Sequence, residues 1–150
     1  EALIDLAMQT NEQMLFHTPH LADKYQGTRM ILDLLRADSR VDRSRVCIDH
    51  LEEHTIRPVL EQGYWGGITL YPITKATPQR AADMVETYGP ERLLINSSAD
   101  WGPSCPTAVA DFILAMRRRG HPESIIRKLV YDNPLEFFNQ SRNFQFSARE

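Results

Sequence analysis

Residues 46–55 read VCIDHLEEHT, so an apolar run of three residues leads directly into Asp49 and His50. Three more short and mainly apolar runs occur in the chain, at 13–16, 67–71 and 93–95. Their near-continuous apolar character is typical of parallel strands that are covered on both faces. The sequence therefore predicts four buried strands, one of which ends at a pair of polar, ionisable residues.

Longer segments with helical periodicity lie between these runs. Lys24 to Arg36 repeats apolar residues at helical spacing, and Thr77-Pro78 is a typical helix start, followed by Gly89 as a stop. Further helices are predicted near the N-terminus, over 55–62, from Pro106 to the arginines at 117–119, from His121-Pro122 and from Asn133-Pro134. The arginines are interpreted as a solvated helix end, and the tail after Asn139 as irregular.

Alternation of strand and helix predicts an α/β fold with a parallel sheet and right-handed crossovers. Four βα units make about half of a (β/α)8 barrel, which typically takes about 250 residues. A small doubly wound sheet is the alternative from the pattern alone. The chain begins at Glu1, within a helical pattern, which predicts that it is a piece of a longer protein.

The composition of the 150-residue chain is that of an ordinary globular domain. It carries 17 Lys and Arg against 20 Asp and Glu, a net charge of −3, and 42% of its residues are hydrophobic. No apolar run is long enough for a membrane span, and no basic face favours long nucleic acid as a partner. Its two cysteines, Cys47 and Cys105, suit a reducing cytosol, so a cytoplasmic protein is expected, with Cys47 as a buried hydrophobe.

Polar residues follow each predicted strand. The first strand leads into His17 and His20, the second into Asp49 and His50, the third into Tyr71-Pro72, and the fourth into a polar segment at 96–102. Ligands bind at the carboxyl ends of strands in parallel α/β folds. Imidazoles and a carboxylate on neighbouring strand ends can converge on one metal ion, although a single histidine there is often structural.

Asp49 and Glu53 have two interpretations. They could fix the tautomer of a ligating histidine, or they could lie in a solvated helix start. Phosphate-binding and nucleophile motifs are absent, since the chain has no GxGxxG, GxxxxGK[ST] or GxSxG sequence. Gly66-Gly67 is predicted to precede the third strand.

At these positions the chain resembles the TatD-type metal-dependent hydrolases of the amidohydrolase superfamily. The stretches that carry the resemblance are MLFHTPH (14–20), VCIDHLEEHT (46–55), GITLYP (67–72), LLINSSADWG (93–102) and HPESIIRKLVYDNPLEFF (121–138). The resemblance implies that residues 1–150 are the C-terminal half of a (β/α)8 TIM barrel, with strands equivalent to its fifth to eighth.

The resemblance also implies the site. His17 and His50 would be metal ligands, and Asp100 would be a ligand or the proton acceptor for metal-bound water. His20 is the alternative ligand to His17, or else a pocket residue or a group that supports the ligands. Trp101 would lie at the pocket rim, with packing of its loop as the alternative. One or two divalent ions are implied as cofactor, with Zn²⁺, Mg²⁺ and Mn²⁺ not distinguished.

The expected reaction is hydrolysis of an ester, phosphoester or amide bond in a small molecule by metal-activated water. The His-x-His pair of the family's first strand is absent here, so the N-terminal half of the barrel is expected to be required. That absence also motivates the alternative of a non-catalytic accessory or binding protein on a decayed barrel. A sugar-phosphate isomerase is a third hypothesis, for which Gly102 is the only support.

Overall fold

The computed structural model describes residues 2–19, 23–98, 103–144 and 146. Four strands alternate with helices along the chain. In order these are α1 (Ala2–Thr10), β1 (Met14–His17), α2 (Lys24–Ala37), β2 (Val46–Asp49), α3 (Ile56–Glu61), β3 (Trp65–Leu70), α4 (Pro78–Tyr88), β4 (Leu93–Ser97), α5 (Ala108–Arg118), α6 (Glu123–Arg127) and α7 (Asn133–Phe138). A 3₁₀ turn precedes β2, and a π-helical turn joins α6 to α7.

The strands form one parallel sheet in the order β1-β2-β3-β4. Each strand therefore pairs with the next one along the chain, as in a barrel wall, and all four carboxyl ends lie at the same edge. The predicted α/β class and parallel sheet are confirmed. No helix in the described ranges is both long and apolar enough to cross a membrane.

Local signals set several element ends as predicted. The Thr77 hydroxyl accepts from the backbone N–H of Arg80, with Pro78 in the first helical position of α4. Gly89 ends α4 at a φ of +80°, which an L side chain rarely adopts. Arg119, just after α5, pairs with Asp83, so the arginines form a solvated helix end held by surface ion pairs.

The main core lies between one face of the sheet and the helices. It includes Ile48 from β2 and Ile68 from β3, together with Phe112 of α5 and Leu129 of the π-helical turn. Leu35 of α2 extends the same cluster. Helix burial on this face follows from the apolar periodicity of the sequence.

A much smaller apolar cluster lies on the opposite face of the sheet, made of Cys47, Trp65, Leu94 and Phe137. The Phe137 ring meets Trp65 edge-on, with centroids 5.6 Å apart. Coverage of both faces is confirmed for β2 and β3, whose residues are all buried. It is wrong for β1, because Leu15 is 41% exposed on this second face.

Three predicted boundaries are wrong. Gly66 and Gly67 lie inside β3, because the strand begins at Trp65. A Cβ on Gly66 would lie 2.9 Å from Leu51 Cδ1, so close packing rather than a turn requires glycine there. Helix α5 begins at Ala108 instead of Pro106, after a turn.

The third boundary is the restart expected at Asn133-Pro134. Helical geometry continues from Glu123 to Phe138 through the π-helical turn at Lys128–Asp132. Pro134 sits in the first turn of α7. The Asn133 side chain donates hydrogen bonds to the carbonyls of Pro90 and Leu93, which ties this helix to the start of β4.

Candidate metal centre

Polar residues from all four strands lie on the second face of the sheet, at its carboxyl edge. His17 and Asp49 are in register across β1 and β2, and Thr69 and Asn96 are in register across β3 and β4. Side chains alternate between faces along a strand, so these four polar residues lie on the same face as the small apolar cluster. They follow that cluster towards the carboxyl ends of the strands. Sheet register thus gathers them in one row.

Three ligating groups converge at one end of this row. His17 Nδ1 and His50 Nε2 lie 2.9 Å apart, and the two rings are tilted with centroids separated by 4.7 Å. Asp49 Oδ2 lies 3.5 Å from His17 Nδ1 and 3.4 Å from His50 Nδ1. One ligand atom from each of the three residues lies within 4.8 Å of the others. His17 is exposed, whereas Asp49 and His50 are buried.

Thr69 fixes the tautomer of His50. The Thr69 hydroxyl donates to Asp49 Oδ1 at 3.0 Å, since a carboxylate can only accept. Thr69 Oγ1 must then accept from His50 Nδ1, which lies 2.7 Å away. A neutral His50 protonated at Nδ1 has its lone pair on Nε2, the nitrogen that faces His17.

Asp49 is held from two further strands. Asn96 Nδ2 donates to the same Oδ1 at 3.0 Å, so that oxygen accepts from β3 and β4 together. Gly67 lies against this carboxylate, and a Cβ built on it would collide with Asp49 Oδ1. The glycine in the middle of β3 is therefore required by the buried carboxylate.

The backbone at His50 adopts a φ of +63°, an uncommon conformation for a residue with a Cβ. Neighbouring bonds hold the segment: Leu51 N–H donates to the Gly67 carbonyl at 2.9 Å, and the Thr18 hydroxyl donates to the Asp49 carbonyl at 3.0 Å. Strain of this kind is maintained where the surroundings determine the conformation. Here it lets two consecutive residues, Asp49 and His50, both face the site.

Glu52 and Glu53 form ion pairs with Lys24 and Arg80 instead of contacting the histidines. The buried Lys24 ammonium lies 2.7 Å from Glu52 Oε1, and Arg80 makes a two-pronged contact with Glu53. Hydrogen bonding from Arg80 lowers the pKa of Glu53 from its ordinary value of 4.5. Glu53 therefore acts at the helix start, and the structure does not bring it to the histidines.

A cavity of about 670 Å³ opens in front of the row. This volume lies in the range of small-molecule sites. Burial raises the pKa of the Cys47 thiol well above its ordinary value, which makes this lining residue a poor thiolate ligand. The lining residues are Leu15, His17, Cys47, Asp49, His50, Thr69, Lys75, Leu94, Ile95, Asn96, Ser97, Ser98, Pro134 and Phe138.

The donor set fits a divalent metal ion. Two imidazoles and a carboxylate are ligands that Zn²⁺ and related ions take, and three protein ligands leave a position for water. Thr69 supplies the bond to the non-ligating histidine nitrogen that metal sites commonly have. Across residues 2–19, 23–98, 103–144 and 146, this is the one group of three or more such ligands close enough to hold an ion.

The predicted site residues have different outcomes. The structure brings His17, His50 and Asp49 together and sets Glu53 apart, while His20, Asp100 and Trp101 lie outside the described residues. Thr69 was missed in the sequence, although it interrupts the apolar run of its strand, which is a usable signal. Asn96 was noted only as the first residue of the polar segment at 96–102, and its bond to Asp49 is evident only from the folded structure.

The amino-acid sequence is similar to that of a metal-dependent hydrolase. The chain is 28% identical over 133 residues to an uncharacterized metal-dependent hydrolase of Methanocaldococcus jannaschii, covering 89% of this chain and 51% of the relative. No family model matches the chain. The chain thus spans about half the length of this relative.

Solved structures give the same picture for the fold. A TatD-like protein from Archaeoglobus fulgidus superposes with a TM-score of 0.69 and 26% identity, over 92% of this chain and 52% of that one. An organophosphorus hydrolase from Deinococcus radiodurans superposes with a TM-score of 0.63 and 18% identity, over 91% of this chain and 49% of its own, which shows the fold alone. The four βα units thus match about half of a TIM barrel, and the chain is similar to a metal-dependent hydrolase in sequence and to a TatD-like protein in fold.

Proposed function

We propose that this chain supplies part of the metal site of a hydrolase that cleaves an ester, phosphoester or amide-type bond in a small molecule. The observation that carries the proposal is the convergence of His17, Asp49 and His50 at the carboxyl edge of a parallel sheet. The sequence match to a metal-dependent hydrolase supports it.

In this proposal His17 and His50 bind the metal through their facing nitrogens, and Asp49 either joins them or orients His50 through Thr69. One or two divalent ions would lower the pKa of bound water towards 7 and polarise the scissile bond. Asp100 is proposed as a further ligand or as the acceptor of the proton released when water attacks. His20 and Trp101 are proposed to line the substrate pocket.

The chain's strands are proposed to be the fifth to eighth of the barrel, with a further set of strands completing the site. The chain spans about half of each relative, which supports this division. The cavity volume and the net charge of −3 favour a small substrate over long nucleic acid. The two free cysteines support a reducing compartment, and we place the protein in the cytoplasm.

The test measures metal content and hydrolysis in the full-length protein carrying His17→Ala or His50→Ala. Loss of a ligand is expected to weaken metal affinity by at least about 100-fold, more than the 10- to 100-fold typical of groups that only orient a ligand. His121→Ala is the matched control, because His121 bonds Glu86 on the surface. Unchanged metal content in both site variants would contradict the proposal, and a metal-free, inactive wild-type protein would favour the accessory-protein alternative.

A further inference from the structure

Lys24 and Glu52 form a buried ion pair between the segments that follow β1 and β2. The Lys24 ammonium lies 2.7 Å from Glu52 Oε1, and the two side chains are 8% and 17% exposed. Lysine and glutamate are seldom this buried, because removing their charges from water is costly. Attraction within such a pair offsets that cost only in part, and apolar residues of similar volume often stabilise a fold equally well. Fold stability alone is therefore a weak explanation for this pair.

Glu52 is fixed by its backbone as well as by its side chain. Its N–H donates to the Thr55 hydroxyl at 2.9 Å, and its carbonyl accepts from the backbone N–H groups of Thr55 and Ile56 at 2.9 and 3.0 Å. Thr55 and Ile56 are both fully buried at the start of α3. Because the first turn of α3 holds the Glu52 backbone, the carboxylate has a defined position in which Lys24 meets it.

Lys24 is equally constrained at the start of α2. It is the first residue of that helix, and its carbonyl accepts from the hydroxyl of the fully buried Thr28 at 2.8 Å. The preceding residue, Asp23, caps the helix by accepting from the Gln26 N–H at 2.8 Å. The ion pair therefore joins the start of α2 to the chain just before α3.

The ion pair fixes the chain two residues after His50, where the backbone turns. His50 has a φ of +63°, a conformation that persists in such residues only where the surrounding contacts impose it. The Thr18 hydroxyl bridges the carbonyls of Asp49 and His50 at 3.0 and 3.3 Å. Thr18 thus holds the turn itself and the ion pair holds the chain beyond it, both from the segment that leads from β1 into α2. That segment begins directly after His17, so the chain that carries one candidate ligand also holds the other.

We infer that Lys24 and Glu52 are positioning residues for the metal site, because their ion pair keeps His50 in the turned conformation in which Nε2 faces His17. Neither side chain belongs to the ligand group, so each acts through the backbone that carries His50. The inference rests on the proposed function for the metal and adds how the ligand geometry is maintained. The conformation of His50 can be measured without metal, so the two proposals are separable.

The test compares Zn²⁺ affinity and the stability of the metal-free form in full-length wild type and Lys24→Met/Glu52→Met. Paired methionines fill the same space with apolar atoms, so this variant is expected to unfold at the urea concentration of wild type or higher. Its Zn²⁺ affinity, measured by competition with a chromogenic chelator, is expected to fall by about 10-fold or more, the effect typical of groups that orient metal ligands. Loss of affinity without loss of stability is a result that a purely structural ion pair would not give.

Lys128→Met/Glu91→Met is the matched control, because Lys128 and Glu91 form a more exposed ion pair at 3.0 Å and lie outside both segments. Its Zn²⁺ affinity should equal that of wild type. If the site variant does not fold, Glu52→Gln replaces it, since glutamine keeps the shape without the charge, and the same loss of affinity is expected. Wild-type affinity in the folded site variant would overturn the inference, as would an equal loss in the control.

A wild-type protein that binds no Zn²⁺ would contradict the proposed function and leave the inference to be decided by crystal structures of the metal-free proteins. In the site variant, His50 is expected to leave its positive φ or to lose the 2.7 Å contact between its Nδ1 and Thr69 Oγ1. The control should keep both features. Retention of both in the site variant would overturn the inference.

Discussion

The two faces of the sheet have different compositions, although the same strands build them. On the helix-covered face, Ile48 and Ile68 belong to a large continuous core. On the other face a four-residue apolar cluster near the start of the strands gives way to Asp49 and Thr69 at their ends. One face therefore carries most of the fold's hydrophobic stabilisation, and the other is available for a site.

The largest expected effect on this contrast comes from a core deletion. Phe112→Ala should lower the free energy of unfolding by about 3–5 kcal/mol, because it empties a fully buried position under α5. Leu15→Ala, on the second face and 41% exposed, should cost less than about 1 kcal/mol. Urea denaturation of both variants measures the difference, and similar losses would contradict the contrast between the faces.

Substitution of the two adjacent glycines of β3 tests the two faces separately, because a methyl group on Gly66 would meet Leu51 and one on Gly67 would meet Asp49. Gly67→Ala should displace Asp49 and reduce metal affinity by about 10-fold or more, because mutating residues that orient metal ligands commonly lowers affinity by that factor. Gly66→Ala directs its methyl at Leu51 and should cost about 1–3 kcal/mol in stability while leaving metal affinity unchanged. Metal titration and urea denaturation are measured on both, and a loss of affinity in Gly66→Ala alone would refute the assignment.

Thr69→Val tests whether the hydroxyl orients the site. Valine keeps the shape but removes the group that bridges His50 and Asp49, so metal affinity should fall about 10-fold with a small change in stability. Thr87→Val is the control, because Thr87 bonds only its own helix on the surface. Equal metal affinity in Thr69→Val and wild type would show that Thr69 has no orienting role.

The smallest effect concerns Glu53. Its lowered pKa means that the Arg80 pair adds stability above about pH 4.5, and this stability is lost as the pH falls through the lower pKa of the folded state. The pair is part-exposed, so Glu53→Gln should cost less than about 0.5 kcal/mol at pH 7 and nothing once both states are protonated. The free energy of unfolding of Glu53→Gln and wild type is measured against pH, with metal content as the control. A change in metal content would show that Glu53 contributes to the metal site.

Local signals explain what could be predicted from the sequence. Thr77-Pro78 and Gly89 act through their own backbone, so the bounds of α4 follow without tertiary information. The sequence alone places Gly66 and Gly67 before β3 rather than inside it, because the side chains that crowd them, Leu51 and Asp49, come from another segment of the chain.

The candidate site shows the same limit. His17 and His50 could be selected from their strand ends, since a parallel sheet gathers those ends at one edge. The contact of His50 with Thr69 depends on the register of β2 and β3 and on the positive φ of His50, which no local pattern signals.

The π-helical turn at Lys128–Asp132 places neighbouring parts of one helix on opposite faces of the sheet. Leu129 packs into the main core, and Phe137 packs against Trp65 on the face that carries the site. A π turn holds one residue more than an α turn, so the residues after it are rotated by about 100° relative to an uninterrupted α-helix. Deleting a single residue from this turn would reset the helical phase and move Phe137 off Trp65, so chain length here is as constrained as chemistry.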